Sequence, residues 1–333
     1  MHEGPTNPTL SGIKNKLKVI VPVLGLLVFL GLLLYKMGRE NWVKCWEALT
    51  TADVKWLAYA FGVVAILPLL SAVRLHIYLR ASQLTKPYKR CLSAILAAMS
   101  LNAVLPARGG DLVKVTFLED DIKKLPPMVG VTILERVFDI LILCILALIG
   151  SLATGNQIAA NLSLLALCAP ISALFALKFA DRIPVIGKKL KSLSRACQTA
   201  MKAPGLLICA WGVASICWIS NLLVMFLLFR AVDANLEFTT VAATMPLAIL
   251  VGILPLSISG MGTRDGAMVF LLGKTIQSGT VLAGTFLYTA AVYWFLAIIG
   301  LVFLGKESLR KIEEQTRQNQ EKLNQEQAET KKS

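Results

Sequence analysis

Long apolar runs separated by short charged segments dominate the pattern of this chain. A helix needs about 20 apolar residues to cross the hydrocarbon core of a bilayer. Six runs are close to this length: Val19–Tyr35, Trp56–Val73, Met128–Thr154, Ile158–Leu177, Gly205–Phe229 and Val281–Leu304. The pattern predicts an all-α fold, a polytopic integral membrane bundle over residues 17–304.

Composition supports this class, because 56% of the 333 residues are hydrophobic and only 16% are charged. The flanks differ from the bundle. Residues 1–16 are predicted to be a disordered cytoplasmic N-terminus. Residues 305–333 are rich in Glu, Gln and Lys and are predicted to be a polar cytoplasmic tail. No small-x-small cleavage site follows the first run, so it is expected to remain as the first helix.

Two further apolar segments, Cys91–Leu118 and Val241–Lys274, share a plan of their own. Each has an apolar leg, a Leu-Pro break, glycines, an arginine, an aspartate and a short apolar return leg. Interrupted apolar segments at corresponding positions of two halves are typical of a transporter binding site. The residues of the two breaks are Asn102, Arg108, Gly109, Gly110, Asp111 and Lys114 in the first, and Gly260, Gly262, Arg264 and Asp265 in the second.

The chemistry of the two breaks allows two interpretations. The glycines permit sharp turns, and Asp111 and Asp265 are expected to cap the return helices. Arg108 and Arg264 are suited to phosphate, which an arginine fork binds well. An anionic headgroup contact is one interpretation. The other is that each arginine pairs with its nearby aspartate and only stabilises the turn.

Loop charges predict the topology. Lysine and arginine mark the cytoplasmic side of a membrane protein. They are concentrated before the first run, in Arg74–Arg90, in Lys178–Lys202 and in the tail. Alternation then makes Cys91–Leu118 enter and leave from the cytoplasm and Val241–Lys274 from the outside. The sequence therefore predicts two inverted re-entrant elements in a cytoplasmic (inner) membrane, with both termini cytoplasmic. The net charge of +14 suits anionic lipid rather than nucleic acid.

One predicted span carries three charged residues, Glu135, Arg136 and Asp139. Arg136 and Asp139 are i,i+3 neighbours and can pair along one helix. Glu135 needs a partner from another element, and Arg108 and Lys114 are the candidates. The three charges either contact a substrate or form a buried ion-pair network that fixes the first re-entrant element.

Several chemistries are not expected from this sequence. The two histidines, His2 and His76, make a histidine-based metal site improbable, and the seven cysteines form no Cys-x-x-Cys pair and are interpreted as packing residues. No Gly-x-x-x-x-Gly-Lys-Ser/Thr motif is present. We expect no cofactor, no metal and no enzymatic activity, because the polar groups of the runs contain no nucleophile–base pair.

Three motifs in order carry a family resemblance: Asn102–Lys114, Glu135–Asp139 and Gly260–Asp265. They resemble the flippase-like transmembrane domain of lysylphosphatidylglycerol synthases, over roughly Leu17–Leu304. Asp265 stands where that family more often has glutamate. In the full-length synthases this domain is implicated in moving an aminoacylated phospholipid between leaflets. No aminoacyl-transferase domain follows here, so lipid lysylation is not expected.

The sequence thus supports two functional hypotheses. The first is a lipid translocator that binds an anionic or aminoacylated phospholipid, or a polyprenyl-phosphate, with its headgroup between the two re-entrant tips. The second is a non-transporting accessory protein that holds a membrane lipid or an enzyme partner of a lipid or cell-envelope pathway. Transport would be passive or ion-coupled, and Glu135 and Asp139 are candidates to carry a proton.

Overall fold

The computed structural model describes residues 40–103, 109–119, 125–179, 188–253, 260–273 and 275–303, with the side chains of all of these except 178–179 and 188–192. Within these ranges every regular element is helical. The helices are α1 (residues 40–50), α2 (Val54–Ala81), α3 (Tyr88–Asn102), α4 (Gly110–Leu118), α5 (Leu125–Ala153), α6 (Gln157–Phe179), α7 (Lys188–Met201), α8 (Pro204–Ala231), α9 (Phe238–Gly252), α10 (Thr263–Leu272) and α11 (Ser278–Thr289), which continues to residue 303.

Four of these helices are long and apolar enough to cross a membrane: Val54–Ala81, Gln157–Leu177, Pro204–Ala231 and Ser278–Phe303. They correspond to four of the six runs, so the prediction of a multi-pass helical protein is confirmed. The run with three charges forms α5, whose 29 residues span roughly 43 Å at 1.5 Å per residue. The first predicted span, Val19–Tyr35, and both flanking segments lie outside the described residues.

Helices α2 and α8 pack against each other and run antiparallel. The backbone N–H of Asp53, at the start of α2, donates to the carbonyl of Ala231, at the end of α8, over 2.8 Å. Both helices bury small and aliphatic residues along the contact, including Ala60 and Val64 on α2 and Ala214 on α8. Helix α5 in turn packs against α6, α7 and α9.

The backbone geometry of α2–α3 repeats in α8–α9 exactly 150 positions later. Both long helices have 28 residues, and both following helices have 15. Each turn between them contains a non-glycine residue with positive φ, Gln83 at 58° and Asp233 at 55°. Each turn also closes with the same backbone hydrogen bond, from Leu84 N to Leu79 O over 2.8 Å and from Ala234 N to Phe229 O over 2.9 Å.

Two short helices then follow, one in each half. Helix α4, with nine residues, packs against α3, and α10, with ten, packs against α9. The expected caps were wrong, because Gly109 and Gly262 are the N-cap residues. Asp111 lies inside the first turn of α4. Asp265 is the third helical residue of α10, and its Oδ2 accepts a bond from Gly262 N over 3.1 Å.

Helix α7, which precedes α8, is amphipathic and packs its apolar face on α5. Cys197 of α7 is fully buried, and its Sγ donates to Gly130 O over 3.2 Å. Burial raises the pKa of the Cys197 thiol to about 12, so the thiol stays protonated. Five of the seven cysteines are buried as packing residues, whereas Cys168 and Cys209 are exposed.

Glycines allow several helices to approach closely, which is common where helices pack inside a membrane. A Cβ on Gly150 of α5 would lie 2.4 Å from Ala243 N of α9, and one on Gly300 would lie 2.5 Å from Leu96 O of α3. Gly212 of α8, by contrast, has no other atom within 4 Å of that position. The contacts of α5 with α9 and of α11 with α3 therefore depend on the missing side chains.

Gly150→Ala is expected to destabilise the protein by about 1–3 kcal/mol, because α5 and α9 must separate to admit the methyl group. Gly212→Ala on the open face of α8 is the matched control and should leave stability unchanged or slightly higher. Thermal unfolding of the purified protein in detergent measures both. Equal midpoints for the two variants would contradict the close packing of α5 on α9.

Candidate functional site

A charged cluster lies halfway along α5. Asp139 is the middle residue of this helix, fourteen residues from either end, or roughly 21 Å. Its Oδ1 accepts a bond from Nε1 of Trp218 over 2.9 Å, and Trp218 lies at the middle of α8. Two apolar helices thus meet through a polar contact at their centres. Such contacts are rare in membrane helices and typically mark function.

Arg74 of α2 binds both acidic residues of α5. Its Nη2 lies 2.5 Å from Glu135 Oε1, and its Nη1 lies 2.7 Å from Asp139 Oδ1. Glu135 and Asp139 are one turn apart on α5, so a single guanidinium can reach both carboxylates. All three side chains are buried. Arg74 therefore joins α2 to α5 through two charge-assisted hydrogen bonds.

Lys114 of α4 binds the other oxygen of Glu135, and both side chains are fully buried. Lys114 can reach Glu135 because α4 lies directly against α3. A Cβ on Gly110 would lie 2.4 Å from Ala98 O, so the first turn of α4 sits directly on α3. Glu135 therefore connects two cations from two different helices. Lys114 is one of the two partners expected for Glu135, whereas Arg74 was not expected.

Arg136 forms the third part of the cluster. Its Nη2 bonds Asp111 Oδ2 of α4, and its Nη1 lies 3.3 Å from Asp139 Oδ2. The second contact is the i,i+3 pair expected from the sequence. Asn102, the last residue of α3, donates from Nδ2 to Asp111 Oδ1 over 3.2 Å. The cluster thus links the ends of α3 and α4 to the middle of α5.

Among the described residues, six charged side chains belong to this cluster, and their charges sum to zero. Three are cations and three are anions: Arg74, Lys114, Arg136, Asp111, Glu135 and Asp139. An isolated charge at the bilayer centre costs about 2.5–3.5 kcal/mol on insertion scales. Pairing removes most of that cost only if every partner is present. The neutral balance explains how six charges are tolerated among apolar helices.

A cavity of about 110 Å³ opens on one side of the cluster. Its polar wall contains Ser71, Arg74, Asn102, Asp111, Arg136, Asp139 and Asn221. Its other walls contain Leu67, Ile95, Ala98, Met99, Cys217, Trp218, Val292, Tyr293 and Leu296. The cavity therefore lies among α2, α3, α4, α5, α8 and α11, and its polar side is formed mainly by the first half of the chain.

Two guanidinium groups of this wall keep unused donors. Nε of Arg74 and Nε of Arg136 are buried and have no hydrogen-bond partner among the described residues. A buried donor without an acceptor costs about 1–3 kcal/mol. The cavity wall therefore contains two guanidinium groups, each with one buried N–H that has no acceptor among the described residues.

A second polar cluster surrounds Arg264 in the other half. Nε and Nη2 of Arg264 donate to Asp265 Oδ1 over 2.9 and 2.6 Å, and Nη2 also donates to Thr289 Oγ1 over 2.5 Å. The guanidinium lies 4.9 Å from the ring centroid of Tyr288. Gly260 and Gly262, with φ of 73° and 94°, form the turn that brings α10 to this position. Positive φ at both explains the two glycines.

Tyr293 stands between the cavity and the Arg264 cluster. Its ring lines the cavity and lies 5.9 Å from the Arg264 guanidinium carbon. It belongs to a π-helical segment of α11, Ala290–Phe295. π-Helical segments are rare in proteins, and those that occur are often found at functional sites. No described residue of the second motif lines the cavity, so the two motifs form neighbouring clusters separated by Tyr293.

The structure thus gathers most of the predicted site residues into two groups. Asn102, Asp111, Lys114, Glu135, Arg136 and Asp139 form the first with Gly109 and Gly110, and Gly260, Gly262, Arg264 and Asp265 form the second. Arg108 lies outside the described residues. Substrate binding by these residues stays a prediction.

Sequence reasoning missed several residues of the cavity. Arg74 was assigned to a cytoplasmic loop, but it lies inside α2 and is buried. The need of Glu135 for a cation from another element did not point to Arg74, because Arg108 and Lys114 also met it. Trp218 and Tyr293 carried no signal, since aromatic residues within an apolar run look the same whether they face lipid or a cavity. Asn221 also lines the cavity; it donates from Nδ2 to Cys217 O over 2.9 Å and accepts from Tyr288 OH.

The fold and its buried charges define a polytopic helical membrane protein with a polar interior. Residues 22–300 match the family model described as the lysylphosphatidylglycerol synthase TM region. The chain belongs to this family, and the resemblance seen in its three motifs is confirmed. No curated protein matches the chain. Membership identifies a membrane protein related to lipid metabolism.

Glu135→Gln is expected to destabilise the protein by about 3–5 kcal/mol, because Lys114 loses its carboxylate and Arg74 keeps only Asp139. Adding Lys114→Met restores a neutral cluster and should recover most of that loss. Chemical or thermal unfolding in detergent measures the two variants beside Lys114→Met alone. A double variant less stable than both single variants would show that charge balance does not stabilise the cluster.

Proposed function

We propose that the protein is a membrane lipid translocator whose cavity receives a phospholipid headgroup while the acyl chains stay in the surrounding lipid. The observation that carries the proposal is a polar cavity beside the midpoints of two apolar helices, at Asp139 and Trp218. A headgroup crossing the bilayer meets its highest free energy at that depth, because it loses water there. A polar cavity at the same depth lowers this barrier.

The two arginines of the cavity wall, Arg74 and Arg136, support a phosphate-containing ligand. The unused Nε groups of Arg74 and Arg136 are N–H donors on guanidinium ions, which bind phosphate through charge-assisted hydrogen bonds. Family membership supports a lipid substrate. Arg264, whose Nη1 is buried without a partner among the described residues, offers a further donor behind Tyr293.

The proposal includes an inverted membrane topology in a cytoplasmic membrane. The half containing α3 and α4 would open to the cytoplasm, and the half containing α9 and α10 to the outside. Lysine and arginine counts support this orientation. The equal element lengths and the antiparallel contact of α2 with α8 are also as expected for two halves inserted in opposite directions.

The topology predicts that matched positions in the two repeated turns face opposite sides. Thr85 and Asn235 are 150 positions apart and both exposed. Thr85→Cys and Asn235→Cys, each in a cysteine-free background, should react with a membrane-impermeant maleimide from the cytoplasmic and the outer side respectively. Labelling of intact cells and of inverted vesicles measures this. Reaction of both positions from the same side would overturn the inverted arrangement.

Obstructing the cavity should stop lipid movement without unfolding the protein. Ser71 lines the cavity, so Ser71→Leu places an apolar side chain in it. We expect the variant to lose most of its translocation in proteoliposomes and to keep its unfolding temperature. Ser172→Leu is the matched control, because Ser172 is exposed on α6. It should behave as wild type.

The assay also separates the translocator from an accessory role. A wild-type protein that moves no lipid, but retains a bound lipid or a protein partner through purification, would contradict translocation and favour the accessory function. Mass spectrometry of co-purifying lipids and proteins, run on the same preparation, supplies that measurement.

A further inference from the structure

We propose, resting on the translocator function above, that the cavity selects a zwitterionic headgroup with one phosphate and one ammonium over a headgroup of net negative charge. The basis is the charge balance of its wall. Two cations, Arg74 and Arg136, and two anions, Asp111 and Asp139, line the cavity. Their charges cancel, so the cavity has no excess positive charge among the described residues with which to hold an anion.

Charge balance decides the selectivity because Arg74, Asp111 and Asp139 are buried. Bringing a net anion into a buried site that is neutral among the described residues leaves one charge uncompensated, which is costly. A zwitterion adds one charge of each sign and leaves the total unchanged. Its phosphate can replace a carboxylate beside a guanidinium, and its ammonium can replace a guanidinium beside a carboxylate. Every charge then keeps a partner of opposite sign.

The ion pair of Arg136 with Asp139 is the one that a bound headgroup would replace. The Arg136–Asp139 contact is the longest in the cluster, at 3.3 Å. The Arg136 side chain is also the most exposed of the six, at 27%. A phosphate would bind the guanidinium groups of Arg136 and Arg74, which both line the cavity and each keep one N–H without a partner among the described residues. The ammonium would then bind Asp111 or Asp139, whose pairing with Arg136 has been weakened.

Two aromatic side chains complete the ammonium half of the site. Trp218 and Tyr293 line the same cavity as the two aspartates. Aromatic faces attract ammonium groups, by about 0.5–2 kcal/mol depending on solvent exposure. They offer nothing comparable to an anionic glycerol headgroup. The cavity thus has a guanidinium side for phosphate and a carboxylate–aromatic side for ammonium.

The test uses two isosteric substitutions that change the charge of the site in opposite directions, at two residues that contact each other. Asn102 and Asp111 are hydrogen-bond partners. Asp111→Asn adds one positive charge to the site, and Asn102→Asp adds one negative charge. The double variant Asn102→Asp/Asp111→Asn exchanges the two side chains and keeps the site neutral. Each variant is purified as the full chain, and size-exclusion chromatography establishes that it is folded.

Binding of phosphatidylethanolamine and phosphatidylglycerol with identical acyl chains is measured by native mass spectrometry. We expect wild type to prefer phosphatidylethanolamine by about tenfold, a difference of about 1.4 kcal/mol. Asp111→Asn should lose or reverse this preference in favour of phosphatidylglycerol. Asn102→Asp should weaken phosphatidylglycerol further, and the double variant should return toward the wild-type preference.

Translocation of the two lipids in proteoliposomes separates the two levels of the proposal. If wild type binds and moves both lipids equally, and neither single variant changes their ratio, the zwitterion selectivity is wrong while the translocator function stands. If neither lipid binds or moves, the proposed function itself fails, and the selectivity fails with it. Opposite shifts in the two single variants are the result expected from charge selection and not from general loss of structure.

Discussion

The carboxylate of Glu135 is the interaction on which the rest of the site depends. It has no exposure to solvent and binds Arg74 from α2 and Lys114 from α4. A charge at this depth must be neutralised completely, so the two helices are held at fixed positions around α5. The position of α4 then places Asp111 against Arg136, and the cavity forms beside that pair.

Much of the fold could be predicted from apolar run lengths, because a bilayer imposes a minimum length on each spanning helix. The need of Glu135 for a cation could be predicted from sequence, since a buried carboxylate needs a partner, and Lys114 was one of the two candidates. Arg74 could not be placed, because a charge at the end of an apolar run also fits a cytoplasmic loop. The caps were misplaced because Gly109 and Gly262, not the aspartates, precede the helices.

The two halves share backbone geometry but differ in chemistry. Glu135 lies ten residues after the start of α5, and Tyr288 lies ten residues after the start of α11. The first half stabilises its buried elements with ion pairs. In the second half, Arg264 pairs with the adjacent Asp265, lies over the ring of Tyr288 and donates to the Thr289 hydroxyl. The ion pairs of the first half therefore join α2, α4 and α5, whereas α10 is joined to α11 through an aromatic ring and a hydroxyl.

The π-helical segment Ala290–Phe295 also fixes the rotational phase of the last helix. One extra residue in a helical turn rotates everything beyond it by about 100° relative to a regular α-helix. Tyr288 precedes the segment and faces Arg264, whereas Gly300 follows it and faces Leu96 of α3. Deleting one residue of this segment would make the helix a regular α-helix and would turn Gly300 away from α3. A larger residue next to Gly300 would then face α3, where the contact has no room for a side chain. A single inserted residue thus allows one helix to direct Tyr288 at Arg264 of α10 and Gly300 at α3, two directions that a regular α-helix would not provide at these positions.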